Sequence, residues 1–237
     1  MLATSLLIFA LAVMMAPAAQ LLAQPSAGLD EVQPQIWLDY NPSFTPSPRT
    51  SVYGDIGFRR VIDQSTWARE YIRPGIRFQA TPRIRLSGGV GAFFTANQSV
   101  ADRLEIRPWQ GAQFEWPRGT LSIRHYVRLE ERFDVNVSTR SSLNSVRARY
   151  QIRPTLEWDR RGIAEYWRAF LAVEAFARFA GDQGQFEEDW RLTAGIEHAY
   201  PNGLRIRADA TWQRTGRVFT GQDIQGIYLR LRVFHPW

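Results

Sequence analysis

From residue 51 onward, polar and apolar side chains alternate one by one along most of this chain. In 146–159, Val146, Ala148, Tyr150, Ile152, Pro154, Leu156 and Trp158 share one parity. Arg147, Arg149, Gln151, Arg153, Thr155, Glu157 and Asp159 share the other. Successive side chains of a strand point to opposite faces, so this segment predicts a strand with one apolar and one charged face. The same sorting recurs in 103–116, 123–133 and 203–213. A helical period would scatter these charges around its axis. Strong strand segments are predicted at 51–60, 67–80, 83–95, 103–116, 120–134, 144–159, 166–179, 187–200, 203–214 and 222–234.

The connections alternate too. Residues 80–83, 117–119 and 201–203 read as tight turns, with Pro, Gly or Asn where turns need them. Longer polar stretches lie between, at 61–66, 96–102, 135–144, 181–185 and 215–222. Phe78, Phe94, Trp116, Trp158, Trp167, Phe179, Trp190 and Trp212 sit near strand ends on the apolar face. Short turns at one rim, longer loops at the other and aromatic girdles are the organisation of an outer-membrane barrel. The predicted fold is therefore all-β, an antiparallel transmembrane β-barrel of about ten strands. A soluble sandwich or lipocalin-like barrel would show the same alternation with its apolar face inward. The segment 36–40 would make eleven strands, against the even number expected of bacterial barrels. It reads as an arm or as one strand of a twelve-strand barrel, and Pro42, Pro46 and Pro48 favour the arm.

The first residues carry a different pattern. Residues 6–15 are an unbroken apolar run, followed by Ala16, Pro17, Ala18 and Ala19. The run is shorter than a membrane helix and its flank suits a signal peptidase, so 1–23 reads as a signal peptide. Cleavage is expected after Ala18 or Ala23, although residues 1–5 lack the usual basic side chain. The predicted division is then 1–23 signal, 24–49 arm or extra strand, and 50–237 barrel, placed in the outer membrane of a Gram-negative bacterium. Outer-membrane lipids would surround it. The last strand, alternating and ending on Trp237, resembles the C-terminal signal read by the barrel-assembly machinery.

Charge sharpens this picture. All 29 basic residues are Arg, against 23 acids. On the assigned inner faces 21 Arg stand with 11 carboxylates, an excess of ten positive charges. Ile-Arg-Pro occurs at Ile72, Ile106 and Ile152, each near mid-strand with Arg inward. Arg73, Arg107 and Arg153 are then expected to form an inner belt, with Glu105, Glu130 and Arg128 nearby and with Arg132 and Arg149 on the same faces. Such a lumen is either a paired network, since buried charges must be paired, or a site for small anions on unpaired guanidinium.

At this point the residues Trp37-Leu38-Asp39-Tyr40-Asn41-Pro42, Glu105-Ile106-Arg107-Pro108-Trp109-Gln110 and Arg128-Leu129-Glu130-Glu131-Arg132-Phe133 are informative together. With Tyr53–Arg59 and Tyr71–Gly75 they resemble an uncharacterised bacterial family known only as a domain of unknown function and regarded as outer-membrane barrels. The resemblance covers most of the chain beyond the signal. It implies a barrel and a compartment, and no activity.

Other chemistry is thinly represented. There is no Cys, hence no disulfide scaffold or thiolate site. Three His leave little for a metal, and no cofactor is expected. Arg spread over ten strands argues against nucleic acid. Gly88-Gly89-Val90-Gly91 lies mid-strand with no following helix or Lys, so it marks a crowded wall and not a phosphate loop. His125 and His198 fall on the apolar face, an odd place for His. The expected function is a structural barrel or a small, porin-like, anion-favouring pore without catalysis. Its rival is an outer-membrane lipid hydrolase using those His.

Overall fold

The computed structural model describes residues 32–62, 66–117, 119–161, 165–181, 188–215 and 224–237. The predicted signal peptide lies outside the described residues. Thirteen strand segments form one closed sheet: β1 (Val32–Ser47), β2 (Thr50–Tyr53), β3 (Ile56–Val61), β4 (Trp67–Ile72), β5 (Gly75–Gln79), β6 (Ile84–Asn97), β7 (Arg103–Glu115), β8 (Leu121–Asn136), β9 (Ser142–Arg161), β10 (Glu165–Gly181), β11 (Glu188–Ala199), β12 (Arg205–Thr215) and β13 (Ile224–Pro236). β2 and β3 run as one stave, broken at Gly54 and Asp55, and β4 and β5 as another, broken at Arg73 and Pro74. The two breaks face each other. Arg73 N–H donates to the Asp55 carbonyl at 2.8 Å, and Asp55 N–H to the Arg73 carbonyl at 3.3 Å. The wall therefore has eleven staves.

The eleventh stave is β1, which the prolines had made an arm. Its alternation continues inward at Gln35, Trp37 and Asp39, and outward at Ile36, Leu38 and Tyr40. Pro42 donates nothing, but its carbonyl accepts from Gly54 N–H at 3.1 Å, so it is tolerated in the strand. β1 pairs parallel with β13 over twelve residues, from Val32↔Gln225 to Ser43↔Pro236. All other pairings are antiparallel. An odd count needs one parallel seam to close, and this is it.

Connections at one rim are two to five residues long, and at the other five to eight. The short-turn rim uses residues suited to tight turns. Thr81 Oγ1 accepts from the backbone N–H of Ile84 at 3.0 Å. Gly203 takes φ of +84°, a conformation that side chains disfavour. At the longer-loop rim Asn136 Oδ1 caps a turn, accepting from Ser138 and Thr139 N–H at 3.0 and 2.9 Å.

The faces settle which way the alternation runs. Outward lie exposed Ile36, Leu38, Ile76, Leu86, Val90, Val127, Val173, Leu229 and Leu231. Inward lie buried Arg59, Arg69, Glu105, Arg107, Arg128, Glu130, Arg132, Arg147, Glu174, Glu197 and Arg207. The barrel is apolar outside and charged inside, opposite to a soluble sandwich. Glu70 and Glu131 are outward and exposed, as the strand phase assigns them.

The glycine run marks a crowded wall. A Cβ on Gly89 would collide with the Pro74 carbonyl and stand 2.8 Å from Gly75 Cα, both backbone. These glycines leave the space into which the Trp109 indole packs. Gly89→Ala is therefore expected to lower stability by about 1–3 kcal/mol, as overpacking does, read as a lower urea midpoint of the refolded barrel.

Candidate functional site

Among the described residues charged side chains converge in the lumen, which has two halves. Toward the longer-loop rim it is filled. Glu105 accepts from Arg107 at 2.7 Å and from Arg132 at 2.7 Å, with Arg69 at 3.8 Å. Glu130 meets Arg147 at 2.5 Å, Arg128 at 3.0 Å, Arg107 at 3.5 Å and Arg149 at 3.8 Å. Two carboxylates thus hold six arginines, and Glu130 itself is wholly buried, at 0% exposure. The phases of β7, β8 and β9 explain this: Glu130 faces Arg147 directly across β8–β9 and Trp109 across β7–β8. Guanidinium suits the role, because its planar fork can serve two carboxylates at once.

Aromatic rings complete the packing beneath these cations. Arg128 lies 4.2 Å from the Trp109 ring centroid, Arg107 4.4 Å from Phe93, and Arg147 4.8 Å from Phe176. Trp37 stacks on Tyr228 at 4.2 Å and carries Arg59 at 4.1 Å on its face. A ring face attracts a cation, and more strongly when water is excluded. The sequence reading placed aromatics only on the outer face and missed these inward rings. Their signal was present: Trp37, Trp67 and Trp109 share the parity of Asp39, Arg69 and Arg107.

Toward the short-turn rim the lumen opens into a cavity of about 760 Å³. Fourteen arginines line it against four carboxylates, Asp55, Glu115, Glu157 and Glu174. Asp55 is taken by Arg73, Glu174 by Arg149 and Arg191, and Glu157 by Arg160 and Arg168. Buried Glu197 serves Arg168 and Arg205 at 3.4 Å each, and Arg207. Arginines outnumber carboxylates here, as they do in the filled half.

The sequence-predicted site residues divide between these halves. Glu105, Glu130, Arg107, Arg128 and Arg132 come together in the filled half, with Arg147 and Arg69 added. Arg149 bridges Glu130 and Glu174 at the boundary. Arg73 is held by Asp55. The belt of three Ile-Arg-Pro arginines does not form. Arg147, not Arg153, faces Glu130, so Arg153 stands six residues farther along β9, in the open cavity. Strand stagger around the barrel, which the tripeptide does not encode, sets these heights.

A family model described as "Protein of unknown function (DUF2490)" matches residues 34–220. The chain belongs to the DUF2490 family. No curated protein and no solved structure matches it. The match begins two residues into β1, so the stave that closes this DUF2490 barrel is part of the family's own segment.

The outward His of the DUF2490 chain sit among aromatics near the short-turn rim. His125 Nδ1 is 2.8 Å from the Tyr150 hydroxyl. His198 stacks on Trp167 at 4.3 Å and Tyr200 at 4.4 Å, with Glu165 at 3.9 Å. The cross-strand neighbours of His125 are Phe114 and Ile152, and those of His198 are Trp167 and Ile206. No serine or threonine stands among these neighbours to be activated.

Proposed function

We propose that this DUF2490 protein is a structural β-barrel of the Gram-negative outer membrane, closed to free permeation, with a positively charged vestibule open to the periplasm. The observation that carries the reading is the polarity of the wall: the apolar parity of the staves faces outward and most of their charges face inward. Apolar side chains exposed in a continuous outer band are what a bilayer stabilises and water does not. The aromatic residues at the short-turn rim, including Trp116 and Trp237 at 53% and 72% exposure, suit an interfacial girdle. Short turns face the periplasm in such barrels, which directs the vestibule there. The exposed C-terminal Trp237 at the end of β13 is the feature the assembly machinery would read.

The filled half explains why the lumen is closed rather than a pore. Arg132 and Arg147, each 2% exposed, and Gln213, 1% exposed, are almost wholly covered at their level, which supports a packed lumen. The refolded protein in a planar bilayer is therefore expected to insert stably and pass no steady current. Discrete open steps would sink the closed-lumen reading. Recovery of the native protein in a soluble fraction after cell breakage would sink the membrane reading. The lipid-hydrolase reading has an outward His but no serine or threonine among its cross-strand neighbours, and no phospholipid turnover is expected.

A further inference from the structure

The Arg124–Arg153 pair departs from the pairing seen elsewhere in the lumen. The two residues face each other directly across β8–β9, and both line the cavity. Like charges directly opposed on a sheet repel unless something neutralises them. In the other directly opposed pairs of the cavity a carboxylate does so. Arg128–Arg149 has Glu130 and Glu174, and Arg207–Arg232 has Glu197, Asp39 and Asp209. Among the described residues neither Arg124 nor Arg153 has a carboxylate within 4 Å, although Glu115 faces Arg124 across β7–β8. Arg124 donates to the neutral Gln151 side chain, and its Nε, buried, finds no partner. Arg153 lies 4.9 Å over the Phe170 ring, and its Nε is likewise buried and unsatisfied. Arg207 also stands at the same ring, 5.0 Å from the Phe170 centroid.

We propose that Arg124 and Arg153, with Arg207 at the same Phe170 ring, form a binding site in the vestibule for a multivalent phosphate-type oxyanion. Arg153 and Arg207 share the Phe170 ring, Arg124 faces Arg153 across the strand pair, and Arg124 and Arg153 have no ion-pair partner within 4 Å. Guanidinium offers parallel N–H donors spaced for the oxygens of phosphate, and a multivalent anion can accept from more than one fork. The low-dielectric wall strengthens these contacts, and the arginine-lined mouth attracts anions toward them. A volume of about 760 Å³ accommodates a small phosphorylated solute or the headgroup of a phospholipid that enters from the rim. The inference rests on the charged lumen of the preceding reading and not on its membrane setting. Failed insertion and failed titration are therefore separate results.

The test uses the full chain refolded in a non-ionic, phosphate-free detergent, titrated calorimetrically with tripolyphosphate at constant ionic strength set by chloride. Saturable binding is expected, and R124Q/R153Q should weaken it by about tenfold or more, the loss of charge-assisted contacts. R178Q, at the other rim, should keep wild-type affinity. Without polyanion, R124Q/R153Q should melt no lower than wild type, because the repelling pair is gone; a purely structural pair would melt lower. R153E is the second variant. It supplies a carboxylate to Arg124, and it should fold and lose binding. Mixed micelles containing phosphatidylglycerol separate the two sources: a response to tripolyphosphate assigns a soluble ligand, and a response to the lipid alone assigns a headgroup. Wild-type affinity in either variant, or no response to either probe beyond chloride, overturns the proposal.

Discussion

Glu130→Gln is expected to destabilise the barrel by about 3–5 kcal/mol, the cost of removing one partner of a buried ionic cluster. Glu130 is wholly buried and is approached by Arg107, Arg128, Arg147 and Arg149 within 4 Å. Gln keeps the shape and removes the charge. Four guanidinium groups then share a region from which one of two central carboxylates has gone. They cannot deprotonate to escape, because guanidinium stays charged. The refolded variant should show a lower urea midpoint, or should fail to acquire the heat-modifiable mobility of a folded barrel in gels. Glu157→Gln is the comparison. Its partners Arg160 and Arg168 are 55% and 28% exposed at the rim, so the loss there should be about 1 kcal/mol or less. Equal losses for the two variants would mean that the filled half of the lumen is wet.

Leu229→Arg carries the second large effect and tests the membrane directly. Leu229 is 58% exposed, near the middle of β13, and faces outward beside Ile36 of β1 and Ala210 of β12. On the lipid face near the bilayer centre an Arg costs about 2–4 kcal/mol. On a water-facing surface the same change stays within about 0.5 kcal/mol. Leu229→Ala controls for the lost side chain. Urea unfolding from phospholipid vesicles should separate the Arg and Ala variants by the larger amount. Coincident curves would place this face in water and remove the outer-membrane assignment.

The alternation in 146–159 was enough to read a strand, its phase and its charged face, because side-chain direction is a local property of the backbone. Arg147, Arg149, Gln151 and Arg153 all point inward as that phase requires. What the phase could not yield is height. Arg107 and Arg153 occupy matching positions in matching tripeptides. One lies beneath Glu130 and the other stands in the open vestibule, because Arg107 is the fifth residue of β7 from the longer-loop rim and Arg153 the twelfth of β9. Pairing height is fixed by loops and stagger around the whole circumference. The same non-locality hid β1. Its partner lies some 190 residues away and runs in the same direction, and no neighbouring turn announces it. The grouping of arginines around particular carboxylates followed from height as well, so Arg124, in phase but outside any repeated motif, was passed over. The inward rings of Trp37 and Trp109 were legible from parity alone.

The parallel seam also decides how the ends of this protein could be joined. In an even-stranded barrel the first and last strands are antiparallel, so the two ends emerge side by side and a short peptide can fuse them. Here the start of β1 and the end of β13 lie at opposite rims, twelve paired residues apart. At about 3.3 Å per residue the separation is roughly 40 Å of wall. A circular permutant would need a linker running the height of the barrel, over its apolar outside or through its crowded inside. Epitopes fused before Val32 and after Trp237 would accordingly be reached from opposite sides of whatever the wall divides.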